Sequence, residues 1–496
     1  MTRTRAPAWP GDDFPSWLSP MVVKELRQGV QSGAFAWTFI ALQAAMFLFL
    51  SYGVIVFDAG VRRSGATMLE SFFWTIVGAA VLFILPLRGL GAISGEKVGN
   101  NLDLVRLTQL SATKIVLGKW LAIVAQGALL VTAILPYVVL RYFFGDVNVI
   151  RDLATIGWLF VGSMLVAAAA IALSTKSPQV RLASVLLVLP SFVSIIELFD
   201  NPGGPGVFSG STWLGTLAVI ALYTAALLEY SASTIAPIAE NHALRKRSLA
   251  LAIGVVWLLT ASLAPSQTAI ATSLITLPLL LAYAIEAVLE RPVHLKSQAL
   301  AFARFGLPGR LAARALTPGW PTGLVFVAVM AAMCMTAWWR WLTAAASGIN
   351  ERELLPSAAF GALLVAAVVF PLPVFVWFPR LRYRFLLYLL IQLICLLAFV
   401  YANVMKPTST PWEGWPEGWM PLLPLPVASI GSLMSSSNGN PLIAKACLLS
   451  SGGVTVVVCL AVLRPWLREM RETSRLLADA RATLNRRAAP SKGATA

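Results

Sequence analysis

Charged side chains are scarce in this sequence, and their scarcity limits the kind of protein that it can form. Lys, Arg, Asp and Glu together make up 12% of the 496 residues, whereas hydrophobic residues make up 58%. The mean hydropathy is high, at +0.77. Because a soluble domain is about a quarter charged, this chain has too few polar side chains to cover a globule in water. The composition therefore predicts a membrane protein.

Histidine and cysteine are also rare, which limits metal and redox chemistry. There are two histidines, His242 and His294, and four cysteines that lie within or beside apolar runs without forming a CxxC pair. This pattern supports neither a disulfide framework nor a zinc site. We expect the chain to use no metal and no other cofactor.

Sequence motifs for nucleotide hydrolysis and for hydrolytic catalysis are missing too. A Walker A loop reads G-x-x-x-x-G-K-[ST], but Gly118 and Lys119 are followed by Trp120. Neither GxSxG nor HExxH occurs. We expect this chain not to be an enzyme, so that any ATPase activity would belong to a partner. The first apolar run, which starts near Phe35, is too long for the core of a signal peptide. We therefore expect that the N-terminus is not a signal peptide.

Long apolar runs, by contrast, are abundant. A membrane-spanning helix needs roughly 20 mostly apolar residues, and the runs predict about twelve spans. They lie at 35–57, 70–92, 115–139, 153–175, 180–199, 212–238, 248–265, 268–289, 321–342, 355–379, 385–405 and 442–463. The predicted fold class is therefore all-α, a polytopic transmembrane helical bundle.

The distribution of positive charge predicts the orientation. The net charge is +16, from 38 Lys and Arg against 22 Asp and Glu. With the N-terminus in the cytoplasm, about four-fifths of the Lys and Arg residues fall on the cytoplasmic side, as the positive-inside rule requires. We expect a multi-pass cell-membrane protein with both termini cytoplasmic. Nucleic acid is not an expected partner, because no basic stretch is interleaved with stacking aromatics.

Two segments on the predicted cytoplasmic side read as non-spanning elements. From Ser19 to Val30 the apolar residues share one helical face, and Lys24, Arg27 and Gln28 lie away from it. Such a helix lies in the headgroup plane. The tail from Arg464 to Arg487 is basic and is expected to stay solvated near anionic lipid. The basic segment 291–316 is left open as a second, degenerate interfacial helix.

The loop after the second span is predicted to form a helix of its own. Apolar residues recur at helical spacing from Leu102 to Leu110, which predicts a short amphipathic helix along the cytoplasmic surface. A few polar residues would be enough to reverse the chain, so an ordered, charged helix here indicates a docking partner. The alternative, in which this helix only packs on neighbouring loops, stays open.

At these residues the sequence resembles the permease subunits of the ABC-2 type exporter family. Those proteins share an opening K-E-L-R helix, which Lys24, Glu25, Leu26 and Arg27 match. They also share a longer sequence motif in the loop after the second span. Asn101 and Gln109 stand here at positions of that motif where Thr and Pro are usual. The matching positions in that motif are Glu96, Lys97, Gly99 or Asn100, Leu102, Asp103, Leu104, Thr108, Leu110, Ser111, Ile115, Val116, Leu117, Gly118 and Lys119.

The resemblance covers about residues 19–240 and implies a function. In that family the loop is a coupling helix that seats on a separate ATPase subunit, so the chain would be the membrane-spanning permease of an ATP-driven exporter. The coupling helix would lie near 96–111. Its ATPase-coupling residues would be Glu96, Lys97, Leu102, Asp103, Arg106, Leu107 and Thr108.

The expected organisation has four parts. Residues 1–34 form a cytoplasmic N-terminus with the interfacial helix, and 35–240 an ABC-2-like six-span permease unit. Residues 241–463 form a second six-span region, either a diverged permease unit or an accessory bundle, and 464–496 a basic cytoplasmic tail. The expected partners are a cytoplasmic ABC ATPase subunit, the lipid bilayer, and a second permease chain or a homodimer.

Other functions are compatible with the same composition. Glu229 lies within an apolar run, and ionisable groups at membrane depth are costly and often functional. It could lie on a translocation path, as in an ion- or proton-coupled secondary transporter, or simply near the cytoplasmic end of its helix. A membrane enzyme or assembly scaffold is a third reading. The transported substrate is left open.

Overall fold

The computed structural model describes most of the chain as helix. It covers residues 20–58, 72–95, 111–141, 149–176, 213–236, 242–263, 266–293, 296–345, 351–370, 372–378 and 441–488, with single positions at 178, 181, 387, 390 and 394. Of these described residues 93% are helical, and none lies in a strand. The predicted all-α class is confirmed for this part of the chain.

The chain divides into two compact units, Met1–Pro237 and Ile238–Ala496. The helices of the first unit are α1 (Pro20–Val30), α2 (Gly33–Asp58), α3 (Phe72–Gly91), α4 (Ala112–Arg141), α5 (Val149–Ser174) and α6 (Trp213–Ile235). Within it, α4 packs against α1, α5 and α6, and α5 packs against α6.

The α3 helix is irregular at a proline. It contains a π-helical section at Ala79–Ile84 and ends as a 3₁₀ turn at Arg88–Gly91. Pro86 lies between the two. Because proline has no N–H for the carbonyl one turn earlier, the regular hydrogen-bond ladder is interrupted here. Arg88, in the 3₁₀ turn, and Ile93, just after it, contact other helices.

The core of the first unit is apolar and close to fully buried. Met46 of α2, Phe73 of α3 and Leu130 of α4 have no exposed surface. The rings of Phe49 and Phe73 lie 5.4 Å apart, a spacing typical of favourable aromatic pairs. Apolar contact thus holds α2, α3 and α4 together.

The second unit contains eight described helices of very different lengths. They are α7 (His242–Leu263), α8 (Ser266–Leu289), α9 (Lys296–Ala303), α10 (Gly306–Leu316), α11 (Trp320–Ala345), α12 (Glu351–Val369), α13 (Leu372–Trp377) and α14 (Pro441–Ala488). In this unit α11 packs against α7 and α8, and α12 packs against α14.

The last helix includes most of the basic tail, and a short part of that tail is buried. α14 runs unbroken for 48 residues, which at 1.5 Å per residue is about 72 Å. Beyond its apolar part, Leu477 and Ala480 pack against Ala299, Phe302 and Ala313 of the α9–α10 segment. Leu477 and Ala480 are three residues apart and share a helical face, so this part of the basic tail is anchored by an apolar stripe.

Seven described helical segments are long and apolar enough to cross a membrane. They are Gly33–Ile55, Phe72–Gly91, Ala112–Leu140, Val149–Ser174, Leu217–Ile235, Trp320–Ala337 and Cys447–Asn485. The predicted spans at 248–265, 268–289 and 355–379 coincide with α7, α8 and α12, which do not reach that standard over the residues described. The predicted spans at 180–199 and 385–405 lie outside the described residues, apart from single positions. The count of about twelve therefore stays a prediction.

Candidate functional site

The predicted site residues fall into two groups. The coupling residues Glu96, Lys97, Leu102, Asp103, Arg106, Leu107 and Thr108 lie outside the described residues. The chain is described up to Gly95 and again from Ser111, so both ends of this segment are visible. Lys24, Glu25, Leu26 and Arg27 lie in α1, and Glu229 lies in α6.

The α1 helix packs against both ends of the 96–110 segment. Met21 of α1 belongs to one buried cluster with Ile93, which precedes the segment, and with Ile115, which follows it. The cluster also contains Ala112, Val116, Ile171, Ala232 and Ile235. We call this cluster the α1 seat. It joins the ends of α3, α5 and α6 to the start of α4.

A glycine allows α1 to approach α4 closely. A β-carbon at Gly118 would lie 3.2 Å from Cγ of Met21 and 3.7 Å from Cγ2 of Val22. A larger side chain would occupy the space that Met21 and Val22 fill. The apolar contact between the two helices therefore depends on Gly118.

An ion pair reinforces the same contact. The Lys119 ammonium lies 3.0 Å from the Glu25 carboxylate, and Lys119 is almost completely buried. Removing one member of a buried pair leaves the other charge without its partner in a low-dielectric site, which is strongly destabilising. Of the K-E-L-R residues, Glu25 thus faces the protein, whereas Lys24 and Arg27 are exposed and Leu26 is half-buried.

Arg88 ties the connection between α1 and α2 to the neighbouring helices. Its guanidinium donates hydrogen bonds to Oε1 of Gln126 at 2.7 Å, to Oγ of Ser32, and to the Gly29 carbonyl at 3.5 Å. It also lies 5.9 Å from the ring centroid of Phe35. Sequence reasoning counted Arg88 only as a cytoplasmic charge. Its signal in the sequence is an arginine at the end of one apolar run and a glutamine, Gln126, within the next run.

The end of α3 is also bonded to the end of α5. The Ile93 N–H donates to Oγ of Ser174 at 3.3 Å, and the Ser174 hydroxyl donates to the Ile171 carbonyl at 2.6 Å. Ser174 is 1% exposed. A buried backbone donor that would otherwise be unsatisfied is thereby paired, and the chain entering the 96–110 segment is held in place.

Glu229 lies near the end of α6, the helix that contributes Ala232 and Ile235 to the α1 seat. It is buried, with 6% of its surface exposed, and takes part in interactions with other residues. It lies six positions before Ile235, where α6 ends, which is about 9 Å along a helix. Glu229 therefore lies within two turns of the end of α6.

The second unit holds a buried ionic cluster that sequence reasoning missed. Arg247 and Lys246 are 2% and 5% exposed. The Lys246 ammonium lies 2.9 Å from both Glu286 and Glu290, and Arg247 lies 2.8 Å from Glu290. The guanidinium of Arg247 also donates to the carbonyls of Ala315, Thr317 and Gly319 and to the hydroxyl of Thr322.

The charges in this cluster shift one another's protonation. Burial alone raises the pKa of Glu290, but the Lys246 and Arg247 charges outweigh burial and hold that pKa below its ordinary value. Burial alone lowers the pKa of Lys246, but the Glu286 and Glu290 carboxylates reverse the effect and raise it. Both groups therefore carry their charges at neutral pH, and the cluster fastens the start of α7 and the ends of α8 and α10 to the start of α11.

An apolar cavity of about 80 Å³ lies elsewhere in the same unit. Trp257, Leu280, Met330, Cys334 and Leu364 are among its lining residues. Water needs two to four polar partners in such a space, which these side chains do not supply. Over the described residues, no group of three or more His, Cys, Asp or Glu side chains is placed to hold a metal ion.

The long apolar helices indicate a helical membrane protein. Beyond this class, no known protein family matches the chain, and comparison with curated proteins and with solved structures also found no match.

Proposed function

We propose that this chain is the membrane-spanning permease subunit of an ATP-driven exporter. In this proposal the 96–110 segment is a coupling helix that docks on a separate cytoplasmic ATPase, through Glu96, Lys97, Leu102, Asp103, Arg106, Leu107 and Thr108. The chain itself carries no nucleotide-binding motif, so the partner would supply the energy. The single observation that carries the proposal is the α1 seat, which joins both ends of that segment to three other helices, α1, α5 and α6.

The geometry of the seat suits the transmission of force. Movement between domains needs a rigid element that passes a displacement to the parts attached to it. Ile93 and Ile115, at the two ends of the segment, lie in one buried cluster. A push on the segment would therefore move the ends of α3 and α4 together, and not only the loop between them.

The polar contacts extend this connection to α1 and α2. The Glu25–Lys119 pair links α1 to α4, and Arg88 links the Gly29–Ser32 turn to Gln126. In the proposed cycle, closure of the ATPase would shift the segment, and the seat would pass that shift to the spans and open the path outward. Buried ionic and hydrogen-bonded contacts resist deformation, because each broken contact leaves a buried polar group unpaired.

The orientation belongs to the same proposal. With about twelve spans and both termini in the cytoplasm, the α1 seat lies at the cytoplasmic ends of its helices, where an ATPase could reach it. This placement rests on the distribution of Lys and Arg along the sequence. A second permease chain, or a second copy of this one, would complete the assembly if one chain forms only half of the pore.

An ion- or proton-coupled secondary transporter is the second candidate, and one observation favours it. Glu229 is a buried carboxyl-bearing residue in a long apolar helix, and such residues often bind coupling ions. Transport that continues without any ATPase and stops in Glu229→Gln would support this candidate over the exporter.

Site-directed crosslinking in native membranes tests the exporter. Asp103→Cys and Leu107→Cys, each in a chain whose four native cysteines are replaced by alanine, would carry a photoactivatable maleimide. We expect both to capture a polypeptide that hydrolyses ATP. The matched control is Ile150→Cys, an 80% exposed position at the other end of α5, which should capture none. Failure of both coupling positions to capture more ATPase than the control would overturn the proposal.

Charge and polarity changes provide a second test. We expect Asp103→Lys and Leu107→Asp to abolish co-purification of the ATPase while leaving membrane insertion unchanged. Normal complex formation in both variants would argue against docking through this segment.

A further inference from the structure

The α10 helix has two faces of opposite character, and its outer face has no partner within the described part of the chain. On the inner face, Gly309 is buried and Ala313 has no exposed surface. On the outer face, Leu307 and Leu311 are 70% and 67% exposed, one helical turn apart. Phe305, just before the helix, is 71% exposed. Exposed apolar surface of this kind marks an interaction site.

We propose that α10 is a binding helix for anionic phospholipid, lying in the headgroup layer with its outer face toward the bilayer. Phe305, Leu307 and Leu311 would enter the upper acyl region, and the neighbouring arginines would bind lipid phosphates. This inference requires only that the chain is a membrane protein, and it is independent of the exporter proposal.

Close packing prevents the outer face from turning inward. A β-carbon at Gly309 would lie 2.0 Å from the Phe302 carbonyl oxygen, so only glycine allows α9 and α10 to pack as they do. Ala313 lies in the buried cluster with Phe302 and with Leu477 of α14. The rotation of α10 about its own axis is therefore set by contacts on its inner face.

Arg247 holds the C-terminal end of α10. Its guanidinium donates to the Ala315 carbonyl at 2.8 Å and to the Thr317 carbonyl at 2.7 Å. The last carbonyls of a helix have no intrahelical partner, and a cation there also suits the helix dipole. Since Arg247 is paired with Glu290 at the end of α8, α10 is attached to the bundle and does not depend on a flexible linker.

The chain connection places α10 at the depth of lipid headgroups. Only three residues lie between Leu316 and Trp320, where α11 begins one of the long apolar segments. The four residue steps from 316 to 320 span at most about 14 Å. The Trp320 N–H also donates to the Glu290 carbonyl at 2.9 Å, so the end of α8 lies beside the start of α11. A helix held between two such ends stays near the membrane surface.

Charge complementarity selects the occupant. No Asp or Glu occurs from Lys296 to Leu316, whereas Arg304, Arg310 and Arg314 are all present and exposed. Around the outer face, Arg310 and Arg314 stand beside Leu307 and Leu311 at helical spacing. Arginine binds phosphate through paired N–H donors, and an apolar face edged with arginine is typical of helices that lie on anionic bilayers.

Fluorescent labels at the outer face test the depth of the helix. Leu307→Cys and Leu311→Cys, in the full-length chain with its native cysteines replaced, would carry an environment-sensitive dye in nanodiscs containing phosphatidylglycerol. We expect lipids spin-labelled near the headgroup to quench the dyes at 307 and 311 about threefold more than the dye at the control position. The control is Arg481→Cys, an exposed position in the extension of α14. Equal access of aqueous iodide to all three labels would overturn the proposal.

Charge-removal variants test the preference for anionic lipid. We expect added phosphatidylglycerol to raise the thermal unfolding midpoint of the detergent-solubilised protein more than phosphatidylcholine does. Arg310→Gln with Arg314→Gln should lose this difference, whereas Arg475→Gln with Arg481→Gln, which removes the same charge from exposed positions of α14, should keep it. Equal loss in both double variants, or no loss in either, would contradict specific binding at α10.

A protein occupant is the remaining outcome, and the same labels reveal it. If the dyes at 307 and 311 are reached freely by iodide in nanodiscs but become protected in native membranes, then a protein covers the face and the lipid proposal is wrong. Protection in protein-free nanodiscs of defined lipid, together with the charge dependence above, supports it. Gel filtration of each variant checks that the chain is folded before either measurement.

Discussion

The Lys119 ammonium lies 3.0 Å from the Glu25 carboxylate, across 94 residues of sequence. Both side chains are largely buried, with 6% and 18% of their surfaces exposed. The pair therefore attaches α1 to the helix that begins directly after the 96–110 segment.

Removing one member of this pair should release α1. We expect Glu25→Gln or Lys119→Met to lower the free energy of unfolding of this region by about 2 kcal/mol, because the other charge stays buried without its partner. Protease cleavage within α1, followed in detergent by mass spectrometry, measures the release. The double variant Glu25→Met with Lys119→Met should recover much of the loss, and the exposed Lys24→Gln should show none. If the loss in the double variant equals the sum of the losses in the two single variants, as judged by protease cleavage within α1, then the ion pair does not hold α1 in place.

A bulky residue at position 118 should separate α1 from α4. In Gly118→Leu the new side chain meets Met21 and Val22, so we expect faster cleavage of α1 and, under the proposed function, weaker coupling to the ATPase. Gly157→Leu is the matched control, since a β-carbon there meets nothing within 4 Å. If α1 is cleaved at the same rate in Gly118→Leu and in Gly157→Leu, then the close approach of α1 to Gly118 is not what holds α1 in place.

Loss of the Arg247 side chain should destabilise the second unit. Arg247→Met removes one of the two cationic partners of Glu290, the other being Lys246, and it removes the guanidinium that donates to three backbone carbonyls. We expect a loss of about 3 kcal/mol in the free energy of unfolding. Arg247→Lys should not restore it, because one ammonium cannot reach the separate acceptors that the guanidinium fork serves. Thermal unfolding in detergent gives the measurement. Arg245→Gln, an exposed neighbour in the same helix, should leave the midpoint unchanged.

The same cluster should make stability depend on acidic pH. The pKa of Glu290 lies below its ordinary value of 4.5 in the folded chain, so the folded state binds its proton less readily than the unfolded state does. The stabilisation is therefore complete above the ordinary pKa and is lost as the pH falls through the lowered one. We expect the unfolding midpoint of Glu290→Gln to be lower at neutral pH and to change less than that of the parent chain on acidification. Glu472→Gln, which is half-exposed, should follow the parent curve. If the unfolding midpoints of Glu290→Gln and of the parent chain change in parallel with pH, then Glu290 is not the source of the pH dependence.

Several elements could be predicted because their signals are local. The helix at Pro20–Val30 follows from a proline at its first turn and from apolar residues at helical spacing, and the structure has α1 at those residues. The long apolar runs likewise coincide with α2 to α6 and with α11. The predicted placement of α1 in the headgroup plane, and the role of the 96–110 segment, stay predictions.

Other features could not be read from the sequence. Arg245, Lys246 and Arg247 form one basic run, yet Arg245 is exposed while the other two are buried. The positive-inside rule treats the three alike, because it counts charges without regard to helical face. In the same way, Leu477 and Ala480 looked like part of a solvated tail until α9 and α10 were found packed against them.

The sequence by itself determined that the chain forms long apolar helices and that its positive charge is concentrated in the segments between them, since hydropathy and charge are properties of contiguous residues. Only the tertiary structure decided which charges are paired and which apolar faces are covered. Glu25 meets Lys119, and Arg247 meets Glu290, across 94 and 43 residues. Such partners are chosen by the packing of helices against one another, and that packing depends on the shapes of many side chains at once.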